Sequence, residues 1–183
     1  MPRVLSPHPD SKAFPAVVIT VEVVPSGDGL VLFSYVATGD VDAILLPPAR
    51  ACERHDGLWR HTCFEAFVRP QPGDAYYEFN FAPSTQWATY RFRAYRSDGE
   101  AAEEAGRPRI DIEASTGRYA LRAEVDLRRL RGVDAASCRI GLSAVIEDVR
   151  GRLSYWALAH PAGKPDFHHA VGFVHALDLA TDR

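Results

Sequence analysis

The stretch from Trp59 to Tyr95 constrains the fold most, because apolar and polar residues alternate with a period of two through three successive runs. Thr62 to Val68 and Tyr76 to Ala82 are separated by Arg-Pro-Gln-Pro-Gly-Asp, a turn-forming cluster, and Pro83-Ser84-Thr85-Gln86 introduces a third run from Trp87. If both hairpins fold symmetrically about their turns, Glu65 lies opposite Asn80, which lies opposite Thr89, and Phe67 lies opposite Glu78, which lies opposite Arg91. One face then presents His61, Cys63, Glu65, Phe67, Glu78, Asn80, Trp87, Thr89, Arg91, Arg93 and Tyr95. The other presents Phe64, Ala66, Val68, Tyr77, Phe79, Phe81, Ala88, Tyr90 and Phe92, and reads as a core face. The first face mixes indole, imidazole, phenol, carboxylate, amide and guanidinium groups. Such a mixture suits a binding surface, where aromatic area supplies contact and a few polar groups supply orientation. The alternative is a solvated sheet face on which Glu78 and Arg91 form a cross-strand ion pair.

The flanking sequence supplies more strands and no helix of ordinary length. Val17 to Val24 and Leu30 to Val36 form a hairpin about Pro25-Ser26-Gly27-Asp28-Gly29, and Ile110 to Ala114 and Tyr119 to Val125 form another about Ser115-Thr116-Gly117. Asp126 caps a single helical turn. Cys138 to Val149 and Leu153 to His160 pair through Arg150-Gly151-Arg152, and Phe173 to Leu179 closes the sheet. Arg96 to Arg107 reads as an exposed, mobile acidic loop. About ten short antiparallel strands argue for an all-β class, an immunoglobulin-like or jelly-roll β-sandwich. At 183 residues this is a single domain, with residues 1–15 an extended N-terminal arm and 16–183 the sandwich.

Composition excludes several functions. A net charge of −3 argues against nucleic acid, since counterion release needs a basic stripe. The N-terminus has no apolar run of secretory-signal length and no stretch is long enough to span a bilayer, so the expected location is cytoplasmic and no membrane partner is expected. Three cysteines without metal-ligand spacing fit free thiols in a reducing compartment. Free strand edges permit a homodimer. No cofactor is expected. His160, His168 and His169 lie within ten residues of one another, with His61 on the suspect face, so a metal or haem site is an alternative, although the spacing matches no strong metal signature. A second alternative is catalysis by Glu65 and Glu78, diagonal neighbours on one face that could act as an acid–base pair in a hydrolase or isomerase.

The blocks LWRHTCFEAFV, YYEFNFAPSTQWATYRFRAYR and GLSAVIED followed by LSYWALAHPAGKPDFHH resemble the DOMON-like domains of bacterial proteins, relatives of the DOMON superfamily and of family 9 carbohydrate-binding modules. The resemblance runs from about residue 15 to residue 177. It implies a β-sandwich that binds sugars or haem. In haem-binding members a methionine and a histidine hold the iron, and the sole methionine here is Met1. Histidine ligation through His61 or His160 is what that branch would require. Sugar-binding modules clamp a ring with aromatics and hold its hydroxyls with carboxylate, amide and guanidinium groups. Trp59, Trp87, Trp156, Glu65, Glu78, Asn80, Arg91 and Arg93 offer that inventory. The residues thus predict a small-molecule site, for a sugar or sugar-like polar ligand, with His61 at its edge. Leu153 to His160 places Ser154, Trp156, Leu158 and His160 on one side, leading into a proline-restricted loop. That loop is expected to fold over the aromatic face, bringing Lys164, Asp166 or His168 within about 8 Å of Trp59, Trp87 or Glu78.

Overall fold

The computed structural model describes residues 1–11, 15–97, 99–133 and 137–178. Two antiparallel sheets pack face to face. The first has five strands, ordered β1 (Arg3–Val4), β3 (Val17–Gly27), β4 (Leu30–Gly39), β10 (Arg118–Asp126) and β9 (Arg109–Ser115). The second has eight: β2 (Ser6–Pro7), β12 (Leu153–Ala157), β11 (Ser137–Glu147), β5 (Cys63–Pro70), β6 (Tyr76–Phe81), β7 (Trp87–Phe92) and β8 (Glu100–Ala101), with β13 (His175–Asp178) also paired to β11. The expected all-β sandwich is the observed fold, and each of the three expected hairpins outside the central block is present.

Period-two alternation builds the core. Ile19, Val21, Phe33, Tyr35 and Leu121 of the first sheet meet Phe64, Ala66, Val68, Tyr77, Phe79, Phe81, Ile140, Leu142 and Trp156 of the second. Tyr35 is fully buried and its hydroxyl donates to the Glu65 carbonyl at 2.7 Å, so the polar end of this large ring is satisfied inside the core. Asp126 caps a 3-10 turn over Leu127–Arg129, accepting from the Arg128 N–H as expected.

The N-terminal segment belongs to both sheets. Arg3 and Val4 pair with Val21 and Thr20 of the first, and Ser6 and Pro7 pair with Ala157 and Trp156 of the second. Between them Leu5 is 1% exposed, its N–H donating to the Ile19 carbonyl. The strap covers one edge of each sheet. The acidic segment after Arg96 is also docked rather than free: it forms β8 and a 3-10 turn, burying Ala102 and Ala105.

The first hairpin of the central block has the expected register, with Glu65 opposite Asn80 and Phe67 opposite Glu78. The second does not. Asn80 lies opposite Ala88 and Glu78 opposite Tyr90, one residue from expectation. The cause is the turn. Thr85 N–H donates to the Ala82 carbonyl and Ala82 N–H to the Gln86 carbonyl, leaving a loop of Pro83, Ser84 and Thr85, with Thr85 in the left-handed region at φ +71°. An odd loop ending in an αL residue shifts the register by one, and a one-residue shift exchanges the two faces of β7.

Candidate functional site

The exchange rebuilds the outer face of the second sheet. Tyr90 and Phe92, expected in the core, stand beside Glu78, while Trp87, Thr89 and Arg91 take the opposite parity. Tyr90, Phe92, Glu65 and Glu78 line a cleft of about 420 Å³, together with Trp59, Arg96, Gly99, Val145, Tyr155, Pro165, Phe167 and His168. Three loops raise its walls. The segment around Glu53 to Asp56 is pinned to β7 by His55 N–H donating to the Trp87 carbonyl and Trp87 N–H donating to that of Glu53. Tyr90 donates to Asp56, which also holds Arg54 at 2.7 Å. This fixes Trp59, on a 3-10 turn, edge-on to Tyr90 at 5.7 Å. A second loop carries Arg96, and a third carries Pro165, Phe167 and His168.

Two carboxyls form the floor. Glu65 on β5 is 3% exposed and Glu78 on β6 is 6% exposed. Burial, then the nearby Glu78 charge, pushes the Glu65 carboxyl well above the usual range, against a hydrogen bond from Ser143 Oγ at 3.4 Å. Burial also raises Glu78, opposed by the 2.8 Å hydrogen bond from Asn80 Nδ2 and by the Arg96 charge. Asn80 is buried behind this pair, accepting from the Cys63 thiol at 3.5 Å, so it orients Glu78 from behind the cleft surface. Burial holds the Cys63 thiol well above the ordinary range for a reactive one.

His168 comes over the floor from the third loop, with Nε2 3.5 Å from Glu78 Oε2, well inside the expected reach. Its ring packs against Phe67, Phe92 and Tyr76. Tyr76 Oη accepts the Arg96 N–H at 3.1 Å and shares a hydrogen bond with His168 Nδ1, 2.9 Å away. Burial first, and then the Arg96 charge, lowers the His168 pKa to about 4. The loop is anchored by Asp166, which binds Arg96 Nη2 at 2.8 Å, accepts from Tyr95 and accepts the His168 N–H. Those bonds keep Asp166 low despite the burial that would raise it.

Of the residues singled out from sequence, Trp59, Glu65, Glu78 and His168 meet in the cleft, and Asn80 and Asp166 support it from behind. The others are elsewhere. Trp87 and Arg91 lie on the exchanged face of β7, and Arg93 is exposed, 3.3 Å from Glu100. Trp156 is in the core, its indole N–H donating to Ser154 Oγ at 3.0 Å, and it is Tyr155 that faces the cleft. His61 is exposed and pairs with Glu147 at 2.7 Å. His160 donates from Nε2 to the Ser6 carbonyl and packs edge-on against His8, away from the cleft lining. Lys164 is exposed and does not line the cleft. His61 and His160, the histidines that haem ligation would require, do not line the cleft, and among the described residues no three His, Cys, Asp or Glu side chains converge on a metal-sized site. Sequence reading missed Tyr90, Phe92, Arg96, Tyr155 and Phe167. The signal that could have found the first two is the odd loop length before β7.

No protein-family model matches the chain, and no curated protein matches its sequence. Among solved structures it is similar to a "putative carbohydrate-binding protein" from Bacteroides uniformis ATCC 8492, with a TM-score of 0.67 and 16% identity over 97% of this chain and 85% of that one. What they share is a fold. A family 9 carbohydrate-binding module from Caldicellulosiruptor kristjanssonii, in complex with glucose, matches at a TM-score of 0.44 and 12% identity, covering 83% and 72% of the two chains. The β-sandwich is therefore common to this chain and the Bacteroides protein, and the cleft stands on the outer face of its larger sheet.

Proposed function

We propose that the cleft binds a small, polar, sugar-like ligand. The observation that carries this is the convergence of Trp59, Tyr90, Phe92, Tyr155 and Phe167 around Glu65, Glu78 and His168 in a space of about 420 Å³, a volume typical of small-molecule sites. Aromatic faces supply contact to the C–H faces of a ring, and the carboxyl and imidazole groups supply donors and acceptors for hydroxyls. The description of the Bacteroides protein as carbohydrate-binding supports the reading, and so does the resemblance of the sequence blocks to DOMON-like domains, which we propose as its family.

Trp59 is the reporter for the test: it is 40% exposed on the cleft wall, whereas Trp87 and Trp156 are buried. A saturable change in tryptophan fluorescence is expected with at least one member of a panel of neutral, acidic and amino sugars. Trp59→Ala should weaken that binding about tenfold, the loss of one aromatic contact. A flat response across the panel, confirmed by calorimetry, would sink the proposal. A second reading, acid–base catalysis, is favoured by two raised carboxyls beside a neutral imidazole. It requires turnover of a bound sugar that Glu78→Gln abolishes while binding persists.

A further inference from the structure

Among the described residues no lysine or arginine ion-pairs with Glu65 or Glu78. Glu65 has Ser143 Oγ at 3.4 Å, and Glu78 has Asn80 Nδ2 at 2.8 Å and His168 Nε2 at 3.5 Å. Arg96, which lines the cleft and whose charge reaches Glu78, is itself bound at 2.8 Å to Asp166. Burying two neighbouring carboxyls without a counterion is costly, and neither is needed to build the sheet, where an amide or hydroxyl would do. The walls around them are aromatic, and aromatic faces attract cations as well as sugar C–H groups.

We propose that the ligand carries a protonated amine, an amino sugar with a free ammonium group, seated over Glu65 and Glu78 and flanked by the aromatic walls. This rests on the sugar-binding reading and narrows it. A neutral sugar can exchange hydrogen bonds with the floor but brings no positive charge to an ionised carboxylate. An ammonium brings one positive charge and three donors at once, and holds Glu65 ionised, its proton passing to solvent. The Glu65 end suits the amine better, because Glu78 already has Asn80 Nδ2 at 2.8 Å and His168 Nε2 at 3.5 Å, whereas Glu65 has the Ser143 hydroxyl at the longer 3.4 Å.

Isothermal titration of the intact protein with glucosamine, galactosamine and mannosamine, set against glucose, galactose and mannose and against the N-acetylated amines, tests this directly. At least one free amine should bind ten or more times tighter than both its neutral parent and its N-acetyl form. Glu65→Gln, checked for an unchanged circular dichroism spectrum, should cut that preference below about threefold. If a neutral or N-acetylated sugar binds as well as the matching amine, the inference falls while the sugar-binding reading stands. If no sugar binds, both fall. The comparison of ligands on the unaltered protein decides the matter even where Glu65→Gln fails to fold.

Discussion

His168 and Glu65 face the same cleft and pull stability in opposite directions with pH. His168 titrates near 4 in the fold, against 6.5 for a free imidazole. The unfolded chain therefore takes up the proton first as pH falls, and the histidine's contribution is present above about pH 6.5 and lost toward pH 4. The span corresponds to roughly 3 kcal/mol. Glu65 is raised, so its contribution is complete below the ordinary carboxylate range and is lost as pH rises through its folded value. His168→Phe, placed among the rings of Phe67, Tyr76 and Phe92, should flatten the fall in urea-measured stability between pH 6.5 and 4.5. An acid limb as steep as that of the unaltered protein would show that other groups carry it. Glu65→Gln should instead gain stability relative to the unaltered protein as pH rises from 5 to 8.

The β6–β7 hairpin decides which side chains reach the cleft. Thr85 holds φ +71° in a β-branched residue, and its N–H closes the turn onto Ala82. Thr85→Pro loses both that donor and the accessible φ, and should cost about 3 kcal/mol or more. Thr85→Gly relieves the backbone but gives up the Thr85 Oγ1 bond to the Arg50 carbonyl, and should change stability by less than about 1 kcal/mol. Chemical denaturation of the two variants compares them; equal losses would mean that the turn is not set by this residue. The same hairpin marks the limit of sequence reading. Strands β5 and β6 were legible in register and face because Phe64, Ala66, Tyr77, Phe79 and Phe81 alternate strictly. Strand β7 offers an aromatic on each parity, Trp87 on one and Tyr90 and Phe92 on the other, so alternation cannot say which side is inward. That choice falls to the loop, and a threonine in the left-handed region is not what turn chemistry leads one to expect. In β12 the alternation grouped Ser154 with Trp156 correctly. The core nonetheless took the tryptophan, because Ser154 satisfies its indole N–H inside. The arrival of His168 over Glu78 was legible from the proline-bounded loop that leads out of β12.

At the scale of the molecule, the strap from Arg3 to Pro7 joins the edges of the two sheets through backbone pairing with both. Leu5 is its only fully buried side chain, set into the core shared by both sheets. Leu5→Ala should cost about 2–5 kcal/mol, and should release the edges of β3 and β12 together. Thermal melts would register the first effect, and concentration-dependent sedimentation the second. An unchanged melting temperature would mean that the strap is dispensable. The strap also fixes an order of events during synthesis. Pro7 pairs with Trp156, about 150 residues later, so at ribosomal rates roughly 7 to 30 s pass between the making of one partner and of the other. Strand β2 is therefore seated only once β12 exists, and until then the nascent chain carries Pro7 and that margin of the growing sandwich uncovered, the interval in which a chaperone would have something to hold.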